Sequence, residues 1–117
     1  MELTGLVWAG TRTDRFDDMV SFLGQVMGLE STGSDQGFAA FRLPNGDTFE
    51  VFGPEDSEHD FFTRGPVVGF GVPDVERARA ELEDAGIEFI GSVHRDGGFV
   101  WSHFHGPDGN VYEITES

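Results

Sequence analysis

The sequence predicts an α+β fold: two tandem βαβββ modules forming a curved, antiparallel-rich mixed sheet around a cavity, with the helices outside. Three observations predict it. The stretch FRLPNGDTFEVF at 41–52 aligns without gaps on FHGPDGNVYEIT at 104–115, so Phe41, Pro44, Gly46 and Glu50 recur as Phe104, Pro107, Gly109 and Glu113. Self-similarity of this kind marks a duplicated supersecondary unit. Apolar residues at helical spacing precede both copies, and an apolar or alternating strand-like segment precedes each of those helices in turn.

Taken in order, residues 3–12 read as the first strand. Thr13 and Asp14 are candidate caps for a helix whose stripe is Phe16, Met19, Val20, Leu23 and Val26, with Gly28 as the terminating glycine. A short strand near 30–33 follows, and then the hairpin of 41–52, whose Pro-Asn-Gly turn supplies a fixed φ and a positive φ. Residues 53–66, GPEDSEHDFFTRGP, are polar and acidic apart from Phe61 and Phe62, and read as a linker. The second module repeats the pattern. Residues 67–72 form a strand, Asp74 caps a helix carrying Val75, Ala78, Leu82 and Ala85, Gly86 ends it, residues 88–93 form a strand, and 104–115 form the closing hairpin. The boundaries are about 1–53 for the first module, about 54–65 for the linker and about 66–117 for the second, within one domain spanning 1–117. A chain of 117 residues has room for one such domain, which buries roughly two thirds of the surface its unfolded form exposes.

Composition narrows the function classes. With no cysteine there is no disulfide, thiolate metal site or cysteine nucleophile. Twenty-two acidic residues against seven basic ones, a formal charge of -15, disfavour nucleic-acid backbones and anionic membranes, both of which need positive patches. A charged ligand is therefore expected to be cationic. All seven basic residues are Arg, which points to a general composition bias, and acidity also serves solubility alone. No basic, apolar leader or bilayer-length apolar run is visible, so the expected location is the cytoplasm.

Strand periodicity assigns faces. Phe49 and Val51, like Tyr112 and Ile114, give each helix an apolar face to bury against, which turns Glu50 and Glu113 to the other, concave side. In the hairpin register that sets His105 opposite Val111, His103 lies across from Glu113, within reach of side-chain contact. Ala40 takes the place of His103 in the first module. The same alternation puts Trp8 and Arg12 of the first strand, Phe38 and Arg42 beside Glu50, Phe52 on the strand of Glu50, and Trp101 and His105 beside His103 on the cavity side. Aromatic walls with a few convergent polar groups have the composition of a small-molecule site. Filling a core is the commoner use of such aromatics. His94, on the Gly-rich stretch 93–98, could overhang the pocket or sit in a solvated loop. Glu58, His59 and Asp60 could attract a metal, but a charged run in a linker is ordinarily only solvated.

The closing stretch WSHFHGPDGNVYEI (101–114), together with Phe22-Leu23 and Met27-Gly28-Leu29 at the end of the first helix, resembles the vicinal oxygen chelate superfamily of glyoxalases, bleomycin resistance proteins and extradiol dioxygenases. The resemblance covers nearly the whole chain. It implies the fold but leaves the reaction open, because that superfamily holds isomerases, dioxygenases, transferases, epimerases and non-catalytic drug-sequestering proteins. Metal-dependent members place four ligands on the first, fourth, fifth and last strands. Carried over, those places are Trp8 (or Val7), Glu50, Val67 (or Val68) and Glu113, two carboxylates and two residues that cannot bind a metal. The resemblance thus implies that no metal or other cofactor is expected, with Glu50, His103, His105 and Glu113 as the residual way to hold a divalent ion.

Together these readings predict a metal-independent protein of the drug-sequestering kind that binds a small cationic or aromatic compound through Trp8, Arg12, Phe38, Arg42, Phe52, Trp101 and His105. The alternative is a lyase, isomerase or dioxygenase-like enzyme in which His103 and Glu113, with Glu50, move a proton. The family resemblance implies a homodimer.

Overall fold

The computed structural model describes residues 1–117. The elements run β1 (Gly5–Arg12), α1 (Phe16–Ser21), β2 (Glu30–Asp35), β3 (Phe38–Arg42), β4 (Thr48–Phe52), β5 (Val67–Val72), α2 (Val75–Asp84), β6 (Glu88–Asp96), β7 (Phe99–His105) and β8 (Val111–Glu116), which is the βαβββ order twice. They gather into two compact units, one of Trp8–Pro66 and one of Met1–Val7 with Val67–Ser117. The first residues join the second unit because the Thr4 N–H donates to the Gly71 carbonyl, 2.8 Å away. No helix is long and apolar enough to cross a membrane.

In the unit of Trp8–Pro66 the strands lie in the order β2-β3-β4-β1. β3 is antiparallel to both β2 and β4, and β4 is parallel to β1. One face buries Leu23, Ala39, Phe41 and Val51, with Phe16, Met19, Val20, Leu29 and Phe49 packed around them. The Thr13 hydroxyl accepts the Arg15 N–H at 3.0 Å ahead of α1, and helical bonding opens with Met19 N–H to the Arg15 carbonyl. The helix does not continue in α form. Phe22–Val26 is a π-helical turn, closed by the Met27 N–H on the Phe22 carbonyl at 2.9 Å. The wider turn rotates Val26 away from the core. Leu23 stays 5% exposed, but Val26, which the periodicity places in the buried stripe, is 74% exposed.

In the second unit the order is β5-β8-β7-β6, with β5 and β8 parallel and the other pairs antiparallel. Val72, Val75, Ala78, Val100, Phe104 and Ile114 form its core. The Asp74 side chain accepts the Arg77 N–H at 3.1 Å and caps α2, a contact worth about 1 kcal/mol. Ala85, assigned to the apolar stripe by spacing, lies beyond the last turn and is exposed. Arg79 is partly buried on the same helix. It donates to the Gly91 carbonyl at 2.9 Å and to the Ser102 hydroxyl at 3.1 Å, and lies over the Phe89 ring, so it satisfies a hydroxyl that has no access to water.

The two repeated hairpins are held by one turn chemistry with its residues exchanged. In the first, the Asn45 side-chain oxygen accepts the Asp47 N–H at 3.0 Å and its amide donates to the Asp47 carboxylate at 2.7 Å. In the second, Asp108 accepts the Asn110 N–H at 3.0 Å and the Asn110 amide donates back to Asp108 at 3.1 Å. Side chains that bond their own backbone two residues on set this reversal, and glycine follows at φ 90° (Gly46) or 83° (Gly109), where an L side chain is strained. The identical turns fix identical registers, Ala40 opposite Glu50 and His103 opposite Glu113.

Candidate functional site

On the face of the Trp8–Pro66 unit that does not carry the helix, Glu50 is the central polar group. Its Cα partner on the parallel strand β1 is Gly10. A Cβ at Gly10 would run into the Trp8 indole, coming 2.6 Å from Cζ2 as well as close to Phe52 at 3.2 Å. Glycine therefore lets the indole lie across its own strand, and Trp8 Nε1–H reaches the Glu50 carboxylate at 2.9 Å. Phe38 faces Phe52 with ring centroids 5.7 Å apart. Phe52 is nevertheless only 3% exposed, because the chain after β4 turns back over it. The His59 ring stacks on Phe52 at 3.9 Å, and Phe62 stands edge-on to both Phe52 (5.8 Å) and Trp8 (6.3 Å). Arg12 serves this segment, its Nε donating to the Asp56 carbonyl at 3.2 Å. Arg42 lies at the outer end of β3, where it is exposed and within 3.7 Å of Glu30.

In the second unit the central carboxylate is Glu113, 4% exposed, and its partner is His103, also 4% exposed, with Nε2 2.9 Å from Glu113 Oε1. Burial pushes the imidazole down to about 4 from its usual 6.5, since the charged ring would lose its hydration. The ring is accordingly neutral at pH 7. A neutral imidazole carries one N–H and one lone pair, and a hydrogen on Nε2 would face the Glu113 carboxylate. Trp101 lies opposite Thr115 on the same face, and the His94 ring stacks on it at 5.4 Å and 13°. Val67, at the position matching Trp8, is buried and offers no donor. His105 is opposite Val111 at the end of β7 and is exposed.

The residues read from the sequence thus fall into two groups. Trp8, Phe38, Glu50 and Phe52 come together in one unit, and Trp101, His103 and Glu113 lie on one face of the other. Arg12 is engaged by the linker, while Arg42 and His105 stand at exposed strand ends. Asp56 and Phe62 have no place among the sequence candidates and His59 only one within a charged run, although Asp56-x-x-His59 and the Phe61-Phe62 pair in an otherwise polar segment are the available signals.

A family model described as Glyoxalase/Bleomycin resistance protein/Dioxygenase superfamily matches residues 5–114. The chain belongs to this superfamily. No curated protein matches it. Among solved structures, a hypothetical protein, BH1468, of Bacillus halodurans C-125 is similar at a TM-score of 0.75 with 22% identity, covering 96% of this chain and 93% of that one. Methylmalonyl-CoA epimerase of Streptomyces coelicolor in complex with 2-nitronate-propionyl-CoA is similar at 0.73 with 20% identity, covering 99% of each chain. A Mn(II)-bound glyoxalase of Novosphingobium aromaticivorans is similar at 0.78 with 22% identity, covering 97% of this chain but 39% of that one. At such identities the likeness is one of fold.

Because a solved glyoxalase of this superfamily carries Mn(II), the residues at the superfamily's ligand places can be tested for fit. An indole nitrogen has no lone pair in the ring plane to give a metal, and the Trp8 N–H points its hydrogen at Glu50. Val67 has no donor atom, and Glu113 is engaged by His103. No three His, Asp or Glu side chains converge as a metal cluster requires. The residues present do not fit the superfamily's metal.

Proposed function

We propose that this superfamily member binds a small, partly cationic or aromatic molecule without a metal. The observation that carries the reading is the Trp8 N–H to Glu50 contact, which puts a hydrogen-bond donor where a metal ligand would have to be. Aromatic faces beside a carboxylate recognise a planar or cationic group by stacking, cation–π attraction and charge. The net charge of -15 attracts cations to any such site. Calorimetric titration of aromatic and cationic antibiotics, with and without divalent metal, tests it. Metal-independent binding that weakens in Glu50→Gln is the expected result, and binding or turnover that requires a metal would overturn it.

A second reading has a specific observation in its favour. The buried His103–Glu113 pair, with Nε2 2.9 Å from Oε1, has the composition of a general acid–base couple, and the alternative activity is a proton-transferring isomerase, lyase or dioxygenase-like reaction. His103→Ala separates the two, since under the binding reading it leaves ligand turnover absent in both proteins, whereas under the second it abolishes a turnover that the wild type has. The same reading has the protein working in the cytoplasm as a homodimer, which sedimentation measures directly.

A further inference from the structure

The segment that covers Phe52 is a folded strap. Gly53 N–H is tied to the Gly37 carbonyl at 2.8 Å, Asp56 N–H to Gly53 at 3.1 Å, Glu58 N–H to the Asp56 side chain at 2.9 Å, and Phe62 N–H to His59 at 3.0 Å. His59 Nδ1 meets the Asp56 carboxylate at 2.6 Å while its ring stacks on Phe52 at 21° and lies 5.2 Å from Phe62. The imidazole therefore occupies a complete recognition environment, with an aromatic face beneath, an aromatic edge beside and a carboxylate on a ring nitrogen. Polar, acidic loop chain does not ordinarily bury aromatic side chains, and this one does so on the face that carries Trp8, Phe38 and Glu50.

We propose that His59 is a built-in occupant of a binding site for planar aromatic cations, of amidinium or imidazolium type, and that such a ligand binds by displacing it. The proposal rests on the binding function above and names its ligand class and its gate. The incoming ring takes the face of Phe52, its N–H group takes the Glu50 carboxylate, and residues 54–62 swing out. The strap is tied to the rest of its unit by the Gly53 N–H on Gly37, by Arg12 and by the packing of His59 and Phe62 on Phe52 and Trp8, so the closed state costs a ligand part of its affinity without barring it. Binding by the wild type is thereby weakened relative to a chain that lacks the occupant.

The test titrates benzamidinium and 1-methylimidazolium into wild type, His59→Ala and Phe52→Ala, and follows hydrogen exchange of the wild type at saturating benzamidinium. His59→Ala is expected to bind roughly tenfold more tightly, Phe52→Ala to lose binding, and the amides of Asp56, Glu58 and Phe62 to exchange faster once the ligand is bound. Equal or weaker binding by His59→Ala, or greater protection of those amides, overturns the strap while leaving the binding function standing. No binding of either cation by wild type or His59→Ala overturns the aromatic-cation chemistry itself. The exchange measurement uses the wild type alone, so it decides the matter even if a substitution prevents folding.

Discussion

Two copies of one scaffold carry the same glutamate, and each satisfies it from a different side. In the Trp8–Pro66 unit Glu50 takes an N–H from Trp8, on the parallel neighbour β1, and the antiparallel neighbour offers only Ala40. In the second unit Glu113 meets His103 on the antiparallel neighbour β7, and the parallel neighbour offers only Val67. The donor in the first case never titrates; in the second it does. The repeated turn and register place both carboxylates alike, and the neighbour of each decides whether it faces a permanent donor or a titratable ring. Burial differs in the same sense, since Glu113 is 4% exposed whereas Glu50 is only half-buried.

The largest consequence of that difference is in stability. His103→Ala leaves a buried carboxylate without its partner and opens a cavity, and should cost about 3 to 4 kcal/mol in urea unfolding. A loss under about 1 kcal/mol would mean that Glu113 is solvated or protonated in the folded state, and the contrast between the units would collapse. Next comes pH. In the fold His103 takes up its proton only near 4, against 6.5 when free. Above 6.5 neither state binds it and this contribution is fully present. Between 6.5 and about 4 the unfolded chain binds the proton and the folded one does not, so stability falls by on the order of 3 kcal/mol as the pH is lowered. A His103→Phe chain should show a flatter profile across this range, and an unchanged slope would assign the effect to other groups.

Smaller effects belong to the other unit. Gly10→Ala should cost about 2 kcal/mol, because a methyl there meets the indole and forces it off Glu50. Trp8→Phe, which removes one hydrogen bond to a half-buried acid, should cost about 1 kcal/mol. Were Trp8→Phe to prove as damaging as His103→Ala, the two carboxylates would be equivalent after all.

Much of this was legible in the sequence because it is periodic or local. The alignment of 41–52 on 104–115 gave the module order, and identical Asx-type turns with a strict two-residue alternation gave the His103–Glu113 register. Alternation tells which way a side chain points but not how far along the strand the packed region extends. Arg42 and His105 accordingly face the expected side and yet stand at exposed ends. The Trp8–Glu50 contact depends on a rotamer and on the parallel pairing of distant strands, neither of which has a local signal. Apolar spacing misplaces Val26 because a single π turn leaves no mark on it, and Phe52 reads as an open wall because nothing in the linker's polarity announces that His59 and Phe62 fold onto it.

The chain holds two tryptophans, and each of the compact units carries one of them. Trp8 donates its N–H to a carboxylate under Phe62, and Trp101 lies flat against the His94 imidazole. The two indoles are therefore distinct fluorophores, one reporting on the strap and the other on the ring stacked against it from β6. Trp101→Phe isolates the first signal and Trp8→Phe the second, so the two halves of the duplication can be watched unfolding, or binding, in separate channels without any added label.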